Sequence, residues 1–283
     1  MSRQESWQEM IWNWQNKREK AQFYGGLTAQ EIEREVQRLA DEAAGDWCPG
    51  GGWQFPFDFG NGIVAPTYTP VQAMHTWRRD VMLQAVEERI PDRRDAVSVL
   101  DLGAGEGAMA LGLWKIGFRD ITCVEVRPLN VEKAQFAARV FGAKLDIRCT
   151  TVDQFLRANE KEYDIVLFMG LLYHLLNPFE ILERIGKLTR QFVVLETTVS
   201  MPKLKGFHNR SDYAPTEAAF FLRIDSAKSH TAGLTDLELW PNKAAVEVLA
   251  RHGGFTKLSW LAGPEPVPPD FASGSRLMAV AAK

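Results

Sequence analysis

The stretch Val97-Ser-Val-Leu-Asp-Leu-Gly-Ala-Gly-Glu-Gly107 constrains the fold more than any other part of this chain. An apolar strand runs into an Asp and then into three glycines at alternate positions, and Ala108 to Trp114 behind them read as a helix. Glycine has no Cβ, so a turn of this kind lets a ligand come up against the main chain. A nucleotide-like ligand is therefore the first expectation.

The details narrow that ligand. Gly103-x-Gly105-x-Gly107 is not the G-x-G-x-x-G of a dinucleotide site, and no Gly-Lys-Ser/Thr follows to cradle a phosphate. Asp101 stands two residues before the first glycine. A carboxylate there would repel a pyrophosphate, more strongly as water is excluded, but would attract an ammonium or sulfonium group. S-adenosylmethionine carries both cations, so Asp101 fits it better than a nicotinamide dinucleotide. Ile121-Thr-Cys-Val-Glu125-Val reads as the next strand. Its Glu125 falls about 20 residues past the glycines, where a carboxylate can accept ribose hydroxyls. Cys149-Thr-Thr-Val-Asp153-Gln154 follows a third short strand, and Asp153 is placed to meet an adenine amine. Alone, either acid would serve as a strand terminus or helix cap. The order and spacing of the three together point to a bound cofactor.

Leu100-Asp-Leu-Gly-Ala-Gly-Glu-Gly107, Glu125 and Asp153 resemble the first three motifs of the class I S-adenosylmethionine-dependent methyltransferases. The similarity runs from Val97 to Thr198 and more loosely beyond. Phe168-Met-Gly-Leu-Leu-Tyr-His174, followed by Asn177-Pro178, is similar to the group that includes the bacterial tRNA wobble-uridine carboxymethyltransferase. A looser Leu-x-His at this place is shared by many small-molecule enzymes. The cofactor residues the resemblance implies are Asp101, Gly103, Ala104, Gly105, Glu125, Val126, Asp153, Gln154, Met169 and Gly170, with Arg78 near the methionine end.

From Val97 the pattern alternates strand and helix, with strands expected at Val97–Leu102, Ile121–Val126, Lys144–Arg148, Tyr163–Met169 and Gln191–Thr197. That reads as an α/β fold with a parallel, doubly wound Rossmann-like sheet and the ligand at the strand carboxyl ends. Asn242–His252 reads as a helix, with strands at Phe255–Leu261 and Arg276–Ala282 completing seven; the resemblance implies that the last runs antiparallel. Residues 1–75 form an N-terminal extension to a methyltransferase domain at 76–283, which carries an insertion at 198–240.

Within the extension, two helices are broken near Gly25-Gly26. Trp7, Ile11 and Trp14 stripe the first. Thr28 and Glu31 spell a capping box for the second, whose Ile32, Val36 and Leu39 would face the core or a second copy of the chain. Glycine, proline and aromatics then alternate from Trp47 to Tyr68, forbidding a long regular element. This segment is either a lid over the cofactor or a packed crossing loop. Phe55, Phe57, Tyr68 and His75 are candidate substrate contacts, as are His208 and Tyr213 in the insertion, which also carries Arg210, Asp212, Arg223, Asp225 and His230. Thr76–Arg89 reads as the helix leading into the sheet, with Trp77 beside Arg78.

His174, Tyr173 and Glu196 are the catalytic candidates. A general base is needed only where the acceptor loses a proton, as a hydroxyl does and a thioether does not. His174 is either that base or a structural imidazole capping nearby backbone. Glu196 ends the fifth strand and could orient a substrate. The five histidines show no metal-ligand spacing.

Composition bears on partners. The formal net charge is −3, and residues 1–60 hold six basic against ten acidic side chains, so no basic RNA-binding extension is evident. Small-molecule substrates are favoured over tRNA, and a non-catalytic cofactor-binding subunit is the further alternative. No run of 18 apolar residues indicates a membrane span. Cys48, Cys123 and Cys149 are scattered, so the expected setting is reduced and cytoplasmic.

Overall fold

The computed structural model describes residues 25–43, 52–67, 69–200, 218–224 and 235–283. Its centre is a seven-stranded sheet in the order β3-β2-β1-β4-β5-β9-β8. The strands are β1 (Ser98–Leu102), β2 (Asp120–Glu125), β3 (Asp146–Cys149), β4 (Tyr163–Met169), β5 (Thr189–Thr198), β8 (Lys257–Trp260) and β9 (Arg276–Ala282). The first five are parallel, whereas β9 runs antiparallel to both β5 and β8. Strand order reverses between β1 and β4, which opens a crevice at their carboxyl ends. This is the Rossmann-like arrangement expected, with strand limits moved by one to two residues. In β3, Lys144 and Leu145 precede the ladder and Cys149 closes it.

Burial on both faces explains why these strands read as continuous apolar runs. Alternation sends Val99, Ile165, Leu167 and Val194 into one core and Leu100, Val166, Phe168 and Val193 into the other. The first core is covered by α1 (Ala29–Ala43), α2 (Thr69–Arg89), α3 (Ala108–Lys115) and α4 (Pro128–Phe141). The second is covered by α5 (Val152–Ala158), α6 (Pro178–Leu188) and α7 (Lys243–His252). A four-residue turn of helix, α8 (Pro269–Ala272), precedes β9.

α1 begins at the capping box that its sequence spells. Thr28 Oγ1 accepts the Glu31 amide at 3.2 Å, and Glu31 Oε2 accepts the Thr28 amide at 2.7 Å. Ile32, Val36 and Leu39 face inward, and the carbonyl of Val36 receives the indole N–H of Trp53 at 3.1 Å. α2 starts at Thr69, seven residues earlier than periodicity suggests. The helix expected around Trp7 lies outside the described residues.

Two further strands, β6 (Phe220–Ile224) and β7 (Leu237–Pro241), form a separate antiparallel pair that the sequence reading did not find. Asn242 fastens it. Its side-chain oxygen caps α7 through the Ala245 amide at 2.8 Å and also accepts the Ala219 amide at 3.2 Å.

Candidate functional site

The glycine turn is shaped by backbone that only glycine adopts without strain. Gly103, Gly105 and Gly107 all have positive φ, at 72°, 54° and 79°. The amides of Gly103 and Ala104 both donate to the Val124 carbonyl, at 2.9 and 3.0 Å, which bends the chain over the end of β2. Gly105 donates to Glu125 Oε2 at 2.9 Å, and the Arg127 amide donates to Oε1 at 2.9 Å. Glu125 is thereby fixed with both oxygens at the cleft wall, each retaining acceptor capacity for a hydroxyl.

That wall belongs to a cleft of about 520 Å³ at the switch point of the sheet. Gly103, Gly105, Glu125, Val126, Asp153, Met169, Gly170, Arg78, Tyr173, His174 and His75 all line it, so the sequence candidates converge from five separate segments. Asp101, Ala104 and Gln154 do not line it. The Gln154 amide oxygen instead accepts the Thr150 hydroxyl at 3.2 Å. Asp153 lines the cleft but is clamped by Arg157 Nε, 3.0 and 2.9 Å from its two oxygens.

Asp101 sits at the base of the glycine turn with 2% exposure, and its Oδ2 has no hydrogen-bond partner. Burial raises its pKa to about 7; Arg78 and the Ala110 amide oppose the shift, and Glu125 adds to it. Arg78 is the complementary group. Its Nη1 lies 3.2 Å from Glu196 Oε2, while its buried Nε has no hydrogen-bond partner. Burial lowers the Arg78 pKa, against the attraction of Glu196.

Glu196 was expected to meet substrate directly. It is instead wholly buried, with Arg78 on one oxygen and Arg276 on the other at 2.6 Å. Its role is to hold two arginines. Burial works against the charge on Arg276, but Glu196 and Tyr173 outweigh it and raise the pKa. Arg276 also lies over the Tyr173 ring at 5.8 Å.

Tyr173 and His174 follow β4 in a 3₁₀ turn anchored by the fully buried Leu172. Their rings are 4.1 Å apart. His174 Nδ1 is 3.0 Å from Glu238 Oε1 on β7.

The aromatic segment is a packed crossing loop for much of its length. Phe57, with Trp53 and Phe59, packs against Phe136 and Phe141 and does not reach the cleft. Phe55 is buried as well, against Phe57 and the His75 ring at 6.0 and 5.1 Å, behind the cleft wall. Among the described residues of this segment, only Gln54 lines the cleft. His75 does line it, and burial, with Arg78 and Arg276 nearby, pushes its pKa well down, so the ring is neutral. Trp77 turns outward, donating to the Pro264 carbonyl at 2.8 Å and packing on Phe271. Tyr68, His208, Tyr213 and the other insertion candidates except Arg223 lie outside the described residues. Arg223 lies over the Trp240 ring at 4.0 Å.

What fastens this segment was missed in the sequence. Glu106, inside the glycine turn, accepts the Gln54 amide at 2.9 Å and the Phe55 amide at 3.1 Å. It pairs with Lys133 Nζ at 3.0 Å, both side chains being about 1% exposed, and Lys133 also donates to the Gly52 carbonyl. Burial raises the Glu106 pKa, with Lys133 and the two amides opposing it. The readable signal was Lys133 itself, a charge in register with Leu129, Phe136 and Val140 on the apolar face of a helix.

Comparison with known proteins agrees with this geometry. A family model described as "Methyltransferase domain" matches residues 74–229. The ubiquinone biosynthesis O-methyltransferase of Methylocella silvestris is 30% identical over 117 residues, which is 41% of this chain and 45% of the relative. That of Methylobacterium nodulans is 28% identical over 153 residues, 53% of this chain and 56% of the relative. The chain thus spans about half the length of these curated relatives. Among solved structures, the N-terminal domain of EvdMO1, crystallised in the presence of SAH and D-fucose, is 23% identical with a TM-score of 0.65. That match covers 90% of this chain and 97% of the other. Magnesium protoporphyrin IX methyltransferase from Synechocystis PCC 6803 with bound SAH is 13% identical with a TM-score of 0.52, over 80% and 90% of the two chains. These structures share the fold. The family match takes in more than half of the sequence and most of the residues that line the cleft, and the chain belongs to the methyltransferase domain family.

Proposed function

We propose that this chain transfers a methyl group from S-adenosylmethionine to an O, N or S atom of a small molecule. The observation that carries the reading is a pair of buried, unsatisfied polar atoms of opposite sign, Asp101 Oδ2 beneath the glycine turn and Nε of the cleft-lining Arg78. A zwitterionic head satisfies both at once: its ammonium meets Asp101 and its carboxylate meets Arg78. Glu125, at the far wall, would take the ribose hydroxyls, and Asp153 the adenine edge. When bound, the cofactor supplies an electrophilic methyl carbon on a good leaving group, so positioning and exclusion of water carry much of the acceleration. On this reading the cleft-lining Tyr173, His174 and Met169 would face the acceptor.

The names of the relatives support a small-molecule acceptor, as does the acidic N-terminal extension, which is poorly matched to nucleic acid. Isothermal titration with S-adenosylmethionine and its demethylated product is the direct test. Both should bind, and Glu125→Ala should weaken both by about tenfold or more, the usual worth of hydrogen bonds to a charged group. Absence of binding by either ligand sinks the reading. Retardation of bulk tRNA at low salt would favour wobble-base modification instead.

A further inference from the structure

We infer that His75 is a substrate-binding residue, and that it receives an uncharged hydrogen-bond donor, a hydroxyl or a neutral N–H, from a substrate with an apolar body. This deepens the methyl-transfer reading and rests on it.

Val71, Met74, His75 and Arg78 all line the cleft, and they fall at i, i+3, i+4 and i+7, so a single face of α2 forms this wall. The chemistry grades along that face. Arg78 stands at the cofactor end, on Glu196 and 3.4 Å from where a Cβ on Gly170 would lie. One helical turn back toward the start of α2 comes His75, and beside and beyond it the apolar Met74 and Val71. A ligand lying along α2 past the methionine head of the cofactor therefore meets an imidazole first and hydrocarbon after it.

His75 is held in this wall without a polar partner. It is 9% exposed, its ring packs on that of Phe55 at 5.1 Å, and its Nδ1 is buried with no hydrogen bond. Phe55 is itself fixed, because its amide donates to Glu106 at 3.1 Å. A buried polar atom left unmet is costly, and in folded proteins nearly all such atoms are paired. The ligand supplies the pairing here. Burial, with the Arg78 and Arg276 guanidinium groups nearby, keeps the ring uncharged, so one of its nitrogens is bare and can accept. Among the α2 residues that line the cleft, Arg78 can only donate, and Val71 and Met74 are apolar. The imidazole is thus the group on this wall that takes an O–H or N–H. A protonated amine would face the same two guanidinium groups, which disfavour a further positive charge, so the donor is uncharged.

The full chain saturated with the demethylated cofactor is titrated with matched probes, one bearing a donor and one with that donor capped by methyl: phenol and anisole, cyclohexanol and methoxycyclohexane, indole and N-methylindole. The His75 ring resonance in the NMR spectrum, assigned by its loss in His75→Phe, reports contact in the wild type. The donor-bearing member of each pair should move that resonance and bind about fivefold more tightly than its capped partner, the worth of roughly one hydrogen bond. In His75→Phe, which keeps a ring against Phe55, the two members should bind alike. His75→Asn keeps an accepting oxygen near the place of Nδ1 and should retain part of the difference; it also supplies the assignment if His75→Phe does not fold. Affinity for the demethylated cofactor should stay within about twofold of wild type in both variants. Equal binding within the pairs by the wild type overturns the proposal. So does a preference for the donor that survives in His75→Phe, or a His75 resonance that no probe moves. A chain that binds neither form of the cofactor removes the methyl-transfer reading instead, while the same probes added to the cofactor-free chain still report on His75.

Discussion

Replacing Lys133 by methionine is expected to destabilise the protein by about 3–5 kcal/mol, the usual cost of removing one partner of a buried ion pair. Glu106 would be left charged at 1% side-chain exposure, opposite an apolar side chain, and the Gly52 carbonyl would lose its donor. The measurement is the urea midpoint at unchanged slope, since the change acts on stability and not on the surface exposed in unfolding. Adding Glu106→Gln should recover much of the loss, because a neutral amide oxygen still accepts the Gln54 and Phe55 amides. Adding Glu106→Leu should not, because those two buried donors would be orphaned. Equal recovery by both would show that charge alone governs the site.

Asp101→Asn is expected to make the cofactor-free protein more stable and cofactor binding weaker. Burial sets the folded pKa of Asp101 at about 7, against 3.8 for an ordinary aspartate. Below the lower value the carboxyl is protonated in both states and costs nothing. Between the two, the unfolded chain sheds the proton that the folded chain retains, so stability falls as pH rises. Above about 7 the full penalty stands, roughly 4 kcal/mol at 1.36 kcal/mol per pH unit. The stability gap between variant and wild type should therefore open from pH 4 to pH 7 and then stay level in thermal melts. Affinity for S-adenosylmethionine should behave in the opposite sense. It should rise in the wild type as Asp101 ionises through pH 7, and it should be about 10–100-fold lower in the Asn variant above that pH. A variant as stable as wild type at pH 8, with full affinity, would remove Asp101 from the site.

Sheet and cofactor wall were legible because their signals are local. A strand buried on both faces is an unbroken apolar run, and the acids that end β1 and β2 follow such runs directly. Val97 to Gly107 carries strand, turn and helix start within one reach of the chain. Glu196 misled for the same reason: local context marks a strand end, but only the sheet shows that β9 brings Arg276 against it and that α2 brings Arg78. Phe55 and Phe57 misled because an aromatic is equally suited to a pocket wall and to a core, and the choice is made by distant residues, Phe141 of α4 for Phe57 and His75 of α2 for Phe55. Glu238 was invisible beside His174. They are 64 positions apart, and Glu238 lies inside the insertion, whose register no periodicity reveals. Buried charges in apolar elements, Lys133 on α4 and Glu238 on β7, were the signs available and unread.

The grip of Glu106 on Gln54 and Phe55 has a consequence for anyone recombining this scaffold. The glycine turn and the aromatic crossing are joined through main-chain amides, so they travel as one cassette. A chimera that exchanges residues 52–67 with those of a relative will keep its cofactor turn in shape only if the Glu106–Lys133 couple comes from the same parent.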